Sequence, residues 1–241
     1  MEAYDNCFFA ELDEFSKLSA RVIVPELLEI LNPKSVVDVG CGCGSFLKEF
    51  MELGVTDVIG VDNDWVPKEK LLIPNNFRTK NLNEKVDIER KFDLALCLEV
   101  AEHLLESRAE NFISELCNLS DVVVFSAAIP GQGGHMHVNE KPLPYWISLF
   151  RRNGYRAFDV LRCKIWNKVP FWYAQNMILY ANESGRSKHP SLMEKENDGD
   201  VIMDFIHPEL FYRYMKMSQP GIKKSIVNLY NAIIAKAGRS K

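Results

Sequence analysis

The stretch VVDVGCGCGSF, from Val36 to Phe46, constrains the fold more than any other part of the chain. Its short, continuous β-branched run reads as a buried strand. The run ends in three glycines alternating with cysteines. The residues that follow, SFLKEFMELG, have helical apolar spacing and close on Gly54, a C-cap position. A strand that turns through glycines straight into a helix opens a βα unit. The glycines let the backbone approach a ligand closely, and the start of the helix favours an anionic group.

Two familiar uses of such a loop fit poorly. A zinc site needs about four ligands, and the C-x-C pair Cys41/Cys43 supplies two, with the other cysteines scattered. A dinucleotide fingerprint wants G-x-G-x-x-G. Here Gly40 and Gly42 fit, but Gly44 comes one residue early and Ser45 stands at the third position. A second signal narrows the ligand. The next buried strand, VTDVIGVD, ends at Asp62, twenty-two positions after Gly40. An acid there accepts the two hydroxyls of a ribose. Asn81, after a third strand in FRTKNL, is in place for a base edge. The pocket therefore suits a ribose, a base and a small charged group, without requiring a pyrophosphate.

The rest of the chain repeats the βα period. FDLALCLEV and DVVVFSAA read as the fourth and fifth strands, with a helical stretch between them through about Asn118. A long loop, IPGQGGHMHVNEKP, leads to the helix LPYWISLFRRNGY, and YRAFDVLRC and QNMILYAN hold the final strands. Such alternation predicts a parallel or mostly parallel sheet with helices on both faces. Before the core, ELDEFSKLSARVIVPELLEILN has helical spacing that Pro25 is expected to break. The expected organisation is a helical cap over 1–34, a ligand-binding core over 35–182, a linker or flexible loop over 183–200 and a helical extension over 201–241. In that extension Lys223, Lys224, Lys236, Arg239 and Lys241 face no acid in the last twenty residues. A solvated helix packed on the body or on another subunit is the favoured reading, ahead of a patch for a membrane surface or an acidic partner.

Composition removes some alternatives. The net charge of −4 announces neither nucleic acid nor a membrane surface. No apolar run approaches spanning length, and MEAYDNCFFAELDEF lacks the basic and apolar regions of a signal peptide. Six cysteines in a chain without a secretion signal fit a reducing cytoplasm.

Taken together, these motifs resemble the class I S-adenosylmethionine-dependent methyltransferases over about Ser35 to Asn182. VVDVGCGCGSF looks like the family's first motif, VIGVDND its acidic second and FDLALCLEVAEHL its fourth. The resemblance implies an α/β, Rossmann-like, mostly parallel seven-stranded sheet. It implies that Asp38, Gly40, Gly42 and Gly44 line the methionine end of S-adenosylmethionine. Asp62, with Asn63 beside it, would hold the ribose, Asn81 and Leu82 would border the adenine, and Glu99 would close the shell.

A second constellation follows the fourth strand. Glu99, Glu102 and His103 stand at i, i+3 and i+4, which share a face if the segment is helical. His135 and His137 follow the fifth strand, and adjacent strand ends place both loops on one rim. Carboxylates and imidazoles there suit a divalent cation, Mg²⁺ or Mn²⁺, that eases deprotonation of a substrate hydroxyl. The spacing resembles the E-x-x-E-H plus distant histidine of plant small-RNA 2′-O-methyltransferases and ubiquinone-pathway O-methyltransferases. That resemblance implies Glu99, Glu102, His103 and His137 as metal ligands. Without a metal the same side chains are hydrogen-bonding struts, and His137 or His103 is the candidate general base, with Glu102 beside them.

AAIPGQGGHMHVNEKPLPYW has the make-up of a substrate lid. Tyr145 and Trp146 either wall the acceptor pocket or pack the following helix, and packing is the better expectation for one of them. The words A-I-P-G-Q-G-G, H-x-N-E and Y-W also look like bacterial methyltransferases of surface-polysaccharide or specialised-metabolite pathways. They imply O-methylation of a sugar or small hydroxylated acceptor, by a monomer or homo-oligomer. Three rivals stand beside this reading: a nicotinamide oxidoreductase, disfavoured by Ser45; a non-catalytic cofactor-binding module; and a metal-assisted RNA 2′-O-methyltransferase, disfavoured by the net negative charge.

Overall fold

The computed structural model describes residues 6–64, 66–193, 204–218, 221, 225–227 and 229. They fall in two compact units, Met1–Phe205 and Ile206–Lys241. The first unit carries seven strands in one sheet: β1 (Ser35–Val39), β2 (Asp57–Asp62), β3 (Phe77–Thr79), β4 (Leu94–Leu98), β5 (Val122–Ser126), β6 (Arg156–Phe158) and β7 (Ile178–Ala181). Their order across the sheet is β3-β2-β1-β4-β5-β7-β6. Strands β1 to β5 pair in parallel, and β7 runs antiparallel to both β5 and β6. The mostly parallel seven-stranded sheet expected from the βα alternation is what the chain forms.

Side chains that alternate along each strand feed two separate cores. Val37, Val39, Ala95, Cys97, Val123 and Phe125 face α3 (Glu106–Leu119) and α4 (Leu143–Arg152). Val36, Val58, Leu94, Leu96, Val122 and Val124 face α1 (Asn6–Leu31) and α2 (Ser45–Glu52). Burial on both faces explains the unbroken apolar runs. Two short helices, α5 (Arg162–Ile165) and α6 (Phe171–Asn176), join β6 to β7.

Two expectations change. Pro25 lies inside α1 rather than ending it. It sits on the exposed side of the helix, where water can take up the carbonyl released four residues earlier. The opposite side buries Ala20, Ile23, Val24, Leu27 and Leu31, none more than 5% exposed. At about 1.5–3 kcal/mol for each large apolar side chain, that burial outweighs a proline penalty of ~3 kcal/mol. The helix expected within 1–34 is α1, Asn6–Leu31, and it packs its apolar side into the first unit. The linker expected over 183–200 is helical where it is described, as α7 (Glu183–Lys188) and α8 (Pro190–Met193). The Asn182 side chain caps α7 by accepting from the Gly185 N–H, a signal that a purely polar, turn-rich reading overlooks. Residues 194–200, and all five basic residues of the tail, lie outside the described residues. In the second unit α9 (Pro208–Ser218) is helical as the spacing predicts.

No described helix is long and apolar enough to cross a membrane. Cys41, Cys43, Cys97, Cys117 and Cys163 take part in no disulfide.

Candidate active site

The loops that follow β1, β2, β4 and β5 meet at the carboxyl edge of the sheet, where open α/β sheets bind their ligands. After β1 the chain turns through Gly40, Gly42 and Gly44 with φ of 86, 54 and 89°. The Gly40 N–H donates to the Val61 carbonyl at 2.7 Å, which ties the turn to β2. A Cβ on Gly40 would overlap the Val100 methyls, and one on Gly44 would overlap Ile73. Around Gly42 there is open space. Two of the three glycines are thus demanded by packing, and the third leaves the backbone bare toward the pocket.

Asp62 clamps this bare turn. One carboxylate oxygen accepts from the Gly42 N–H at 2.7 Å and the other from the Asn63 N–H at 2.7 Å. Asn63 in turn accepts from the Leu82 N–H, which brings the segment after β3 to the same place. Asn81 spends its amide on its own turn, donating to Glu84 and accepting from the Asn83 N–H. Asp38 and Asp62 are each only 3% exposed. Burial pushes Asp38 up to about 8, with the neighbouring Asp62 adding to it. Burial also raises Asp62, to about 6, against the pull of its two N–H donors. Two buried acids with no cation recorded beside them make a site that a positively charged ligand would stabilise.

The Asp38 shift has a stability consequence of definite sign. The folded state holds a proton between the unfolded value near 3.8 and the folded value of about 8, so this group's contribution to stability falls as pH rises through that window. Asp38→Asn removes the loss. Its unfolding free energy should match wild type near pH 4 and exceed it by on the order of 5 kcal/mol at pH 8. Denaturant titrations at the two pH values check this, and a difference that does not grow with pH would refute it.

The second constellation forms by a different route from the expected helix face. Glu99 is not helical. It takes a left-handed φ of 55°, a conformation that a non-glycine residue holds at a cost of order 1–3 kcal/mol. Its N–H reaches the Ser126 carbonyl at 3.0 Å, and its carboxylate accepts from Gln132 at 3.0 Å and Asn176 at 3.1 Å. A single turn of 3-10 helix, Ala101–His103, then presents Glu102 and His103. The Glu102 carbonyl accepts the N–H groups of Val138 and Asn139 at 2.9 and 3.0 Å, drawing the loop after β5 over this turn.

Three of the four proposed ligands converge. One atom from each of Glu102, His103 and His137 lies within 4.8 Å of the other two. The His103 and His137 rings meet edge to face, 4.9 Å between centroids. Glu99 is not one of the three converging residues, but its carboxylate lies beside that of Glu102 while Gln132 and Asn176 hold it. Glu102 is fully buried, and neither carboxylate oxygen has a hydrogen-bond partner among the described residues. Burial, and then the nearby Glu99, push it well up. His103 is pulled down to about 4, chiefly by burial and then by His137, while its bond to the Met136 backbone opposes the shift. His137 Nδ1 is 2.9 Å from Glu140 Oε1.

His135 is exposed and outside the cluster. Trp146 is 1% exposed and packs on Phe125 in the core, so it is a packing residue and not a pocket wall. Tyr145 is half-buried, with the Lys141 ammonium 5.3 Å from its ring centre. Gln132 and Asn176, which hold Glu99 and hydrogen-bond each other at 2.9 Å, escaped the sequence reading. The one available signal was polar Gln175-Asn176 set directly before an apolar strand.

Residues 12–164, well over half the chain, match a family model described as a methyltransferase domain. Over 86 residues the chain is 30% identical to the ubiquinone biosynthesis O-methyltransferase of Rhodopseudomonas palustris (strain HaA2). That match spans only 33% of the relative's length and 33% of this chain. An O-methyltransferase family protein from Burkholderia thailandensis has the same fold, with a TM-score of 0.55 at 13% identity over 75% of this chain and 60% of that one. So does the magnesium protoporphyrin IX methyltransferase of Synechocystis PCC 6803, solved with bound SAH, with a TM-score of 0.52 at 20% identity over 73% of this chain and 88% of that one.

Proposed function

Because this chain belongs to the methyltransferase-domain family and has the class I S-adenosylmethionine-dependent fold, we propose that it transfers a methyl group from S-adenosylmethionine to a hydroxyl oxygen of a sugar or other small metabolite. One observation carries the proposal. A bare glycine turn clamped by a buried acid and a cluster of a buried carboxylate with two histidines share the carboxyl edge of one sheet.

The residues fit the cofactor. Gly42 leaves room at the turn, and the buried Asp38 and Asp62 suit a ligand carrying positive charge. Asp62 would take the ribose hydroxyls on the lone pairs that Gly42 and Asn63 leave free. When bound, S-adenosylmethionine supplies the electrophilic methyl carbon. Gly40 to Gly44 hold the methionine end, and Asp62 and Leu82 the nucleoside end. Glu102, His103 and His137 stand on the same sheet edge, where they would meet the acceptor. Fixing acceptor and methyl in line contributes up to about 7–11 kcal/mol in favourable cases.

The cluster also fits a divalent cation. A buried carboxylate without a hydrogen-bond partner is a group that a cation would satisfy. Each histidine has one ring nitrogen anchored away, on Met136 and Glu140, the arrangement in which a histidine offers its other nitrogen to a metal. Held by Glu102, His103 and His137, Mg²⁺ or Mn²⁺ would supply Lewis-acid polarisation of the acceptor hydroxyl. Without the cation, His137, half-buried beside the proposed acceptor position, would take the hydroxyl proton on the same nitrogen. RNA is the less favoured acceptor, since a net charge of −4 is a poor match for a phosphate backbone.

Calorimetry with S-adenosylhomocysteine tests the reading. Wild type should bind it and give no heat with NAD(H). Asp62→Ala removes the acceptor of two loop N–H groups and of the ribose hydroxyls, and should weaken binding at least about tenfold. A change below about twofold would show that Asp62 does not hold the nucleoside. Absence of binding by folded wild type would end the proposal.

A further inference from the structure

We propose that Glu140 is a positioning residue that sets the tautomer and ring orientation of His137. The inference rests on the reading of the Glu102–His103–His137 cluster given above.

Glu140 lies three residues beyond His137 in GQGGHMHVNE and is drawn back over the loop that contains it. Its Oε2 accepts the Gly131 N–H at 2.6 Å, and its Oε1 accepts the Gly133 N–H at 2.9 Å. Oε1 also stands 2.9 Å from His137 Nδ1. A carboxylate that already receives two backbone donors is acceptor-only, so the third partner must be the donor. His137 therefore carries its proton on Nδ1 and leaves Nε2 with a free lone pair. The ring also packs closely on Gly134 at its Nε2 edge, where a Cβ would overlap it. The His137 and Glu140 side chains are 12% and 19% exposed, so water competes poorly for this bond.

A loop staple alone would need only the two glycine contacts. The third contact has a separate consequence, since it decides which nitrogen of His137 keeps its lone pair. Anchoring of this kind raises a ligating imidazole's basicity and fixes its aim, and its loss typically weakens metal binding about 10–100-fold.

The test uses the full chain, wild type and Glu140→Gln. Nitrogen-15 NMR of the wild-type histidines should show His137 as the Nδ1–H tautomer. An Nε2–H tautomer in wild type would overturn the proposal without any variant. In Glu140→Gln the tautomer should become mixed, and calorimetric Mn²⁺ affinity should fall about 10–100-fold. S-adenosylhomocysteine affinity, which Glu140 does not touch, should stay within about twofold. An unchanged tautomer and Mn²⁺ affinity in the variant would leave Glu140 as a loop staple and overturn the proposal. If wild type binds S-adenosylhomocysteine but no Mn²⁺, the metal reading fails by itself and the tautomer decides the role of Glu140.

Discussion

Replacing Glu102 with methionine should make the protein more stable and nearly inactive. The side chain is fully buried with both oxygens unpartnered, and burial and Glu99 oppose its ionised form. A methionine of similar shape removes those unsatisfied atoms, and removing such a group is worth about 1–3 kcal/mol. The thermal midpoint should therefore rise. Methyl transfer to any accepted hydroxyl should fall by about 10²-fold or more, the scale of losing a positioned acid–base or ligand group. Affinity for S-adenosylhomocysteine should hardly move, because Glu102 belongs to the acceptor side of the site. A variant that turns over within about tenfold of wild type would remove Glu102 from the chemistry. A lower midpoint would mean that the carboxylate is satisfied in solution. A rise in stability coupled to a loss of turnover is what a group retained for function produces.

Gly40→Ala should unfold the cofactor site from its base. The residue sits at φ 86°, where an L side chain is strained, and its Cβ would overlap the Val100 methyls. Strain of about 1–2 kcal/mol and overpacking of about 1–3 kcal/mol act together. The bond from the Gly40 N–H to the Val61 carbonyl resists the shift that would relieve them. Stability should drop by roughly 2–4 kcal/mol, and S-adenosylhomocysteine affinity by about 30-fold or more. Turnover should fall further than affinity. The displaced Val100 lies between Glu99 and Glu102, so one methyl disturbs both halves of the site. Calorimetry and denaturant titration on the same variant check the two numbers. Gly42→Ala, with open space around it, is the comparison that separates backbone strain from steric overlap. Equal stability loss in both would assign the effect to strain alone.

The glycine turn and the acid that clamps it were readable before the fold was known, because each part is local. A glycine turn between a strand and a helix is encoded within about ten residues, and Asp62 is simply the last residue of the next strand. Parallel neighbours then bring the two together, as the pairing of Val39 with Val61 records. The acceptor side was readable in its residue types but not in its geometry. Glu99, Glu102 and His103 have helical spacing, yet the left-handed Glu99 and the 3-10 turn send Glu99 to Gln132 and Asn176. Nothing in the local pattern distinguishes that path from a helix, since the partners that select it come from distant parts of the chain.

The amino-acid sequence by itself therefore determined the βα alternation, the mostly parallel sheet, the clamped glycine turn and the short list of chemistry-bearing side chains. These follow from side-chain periodicity and from backbone freedom, which act over a few residues. Tertiary structure alone decided that Pro25 stays inside a helix, that Trp146 is core, and that Glu102, His103 and His137 meet while Gln132 and Asn176 hold Glu99. Each of those outcomes is a competition between a local preference of a few kcal/mol and contacts made across the fold. Burial on one side of α1 outweighed the proline, and two N–H groups from a loop more than thirty residues away fixed where Glu102 points its histidine neighbours.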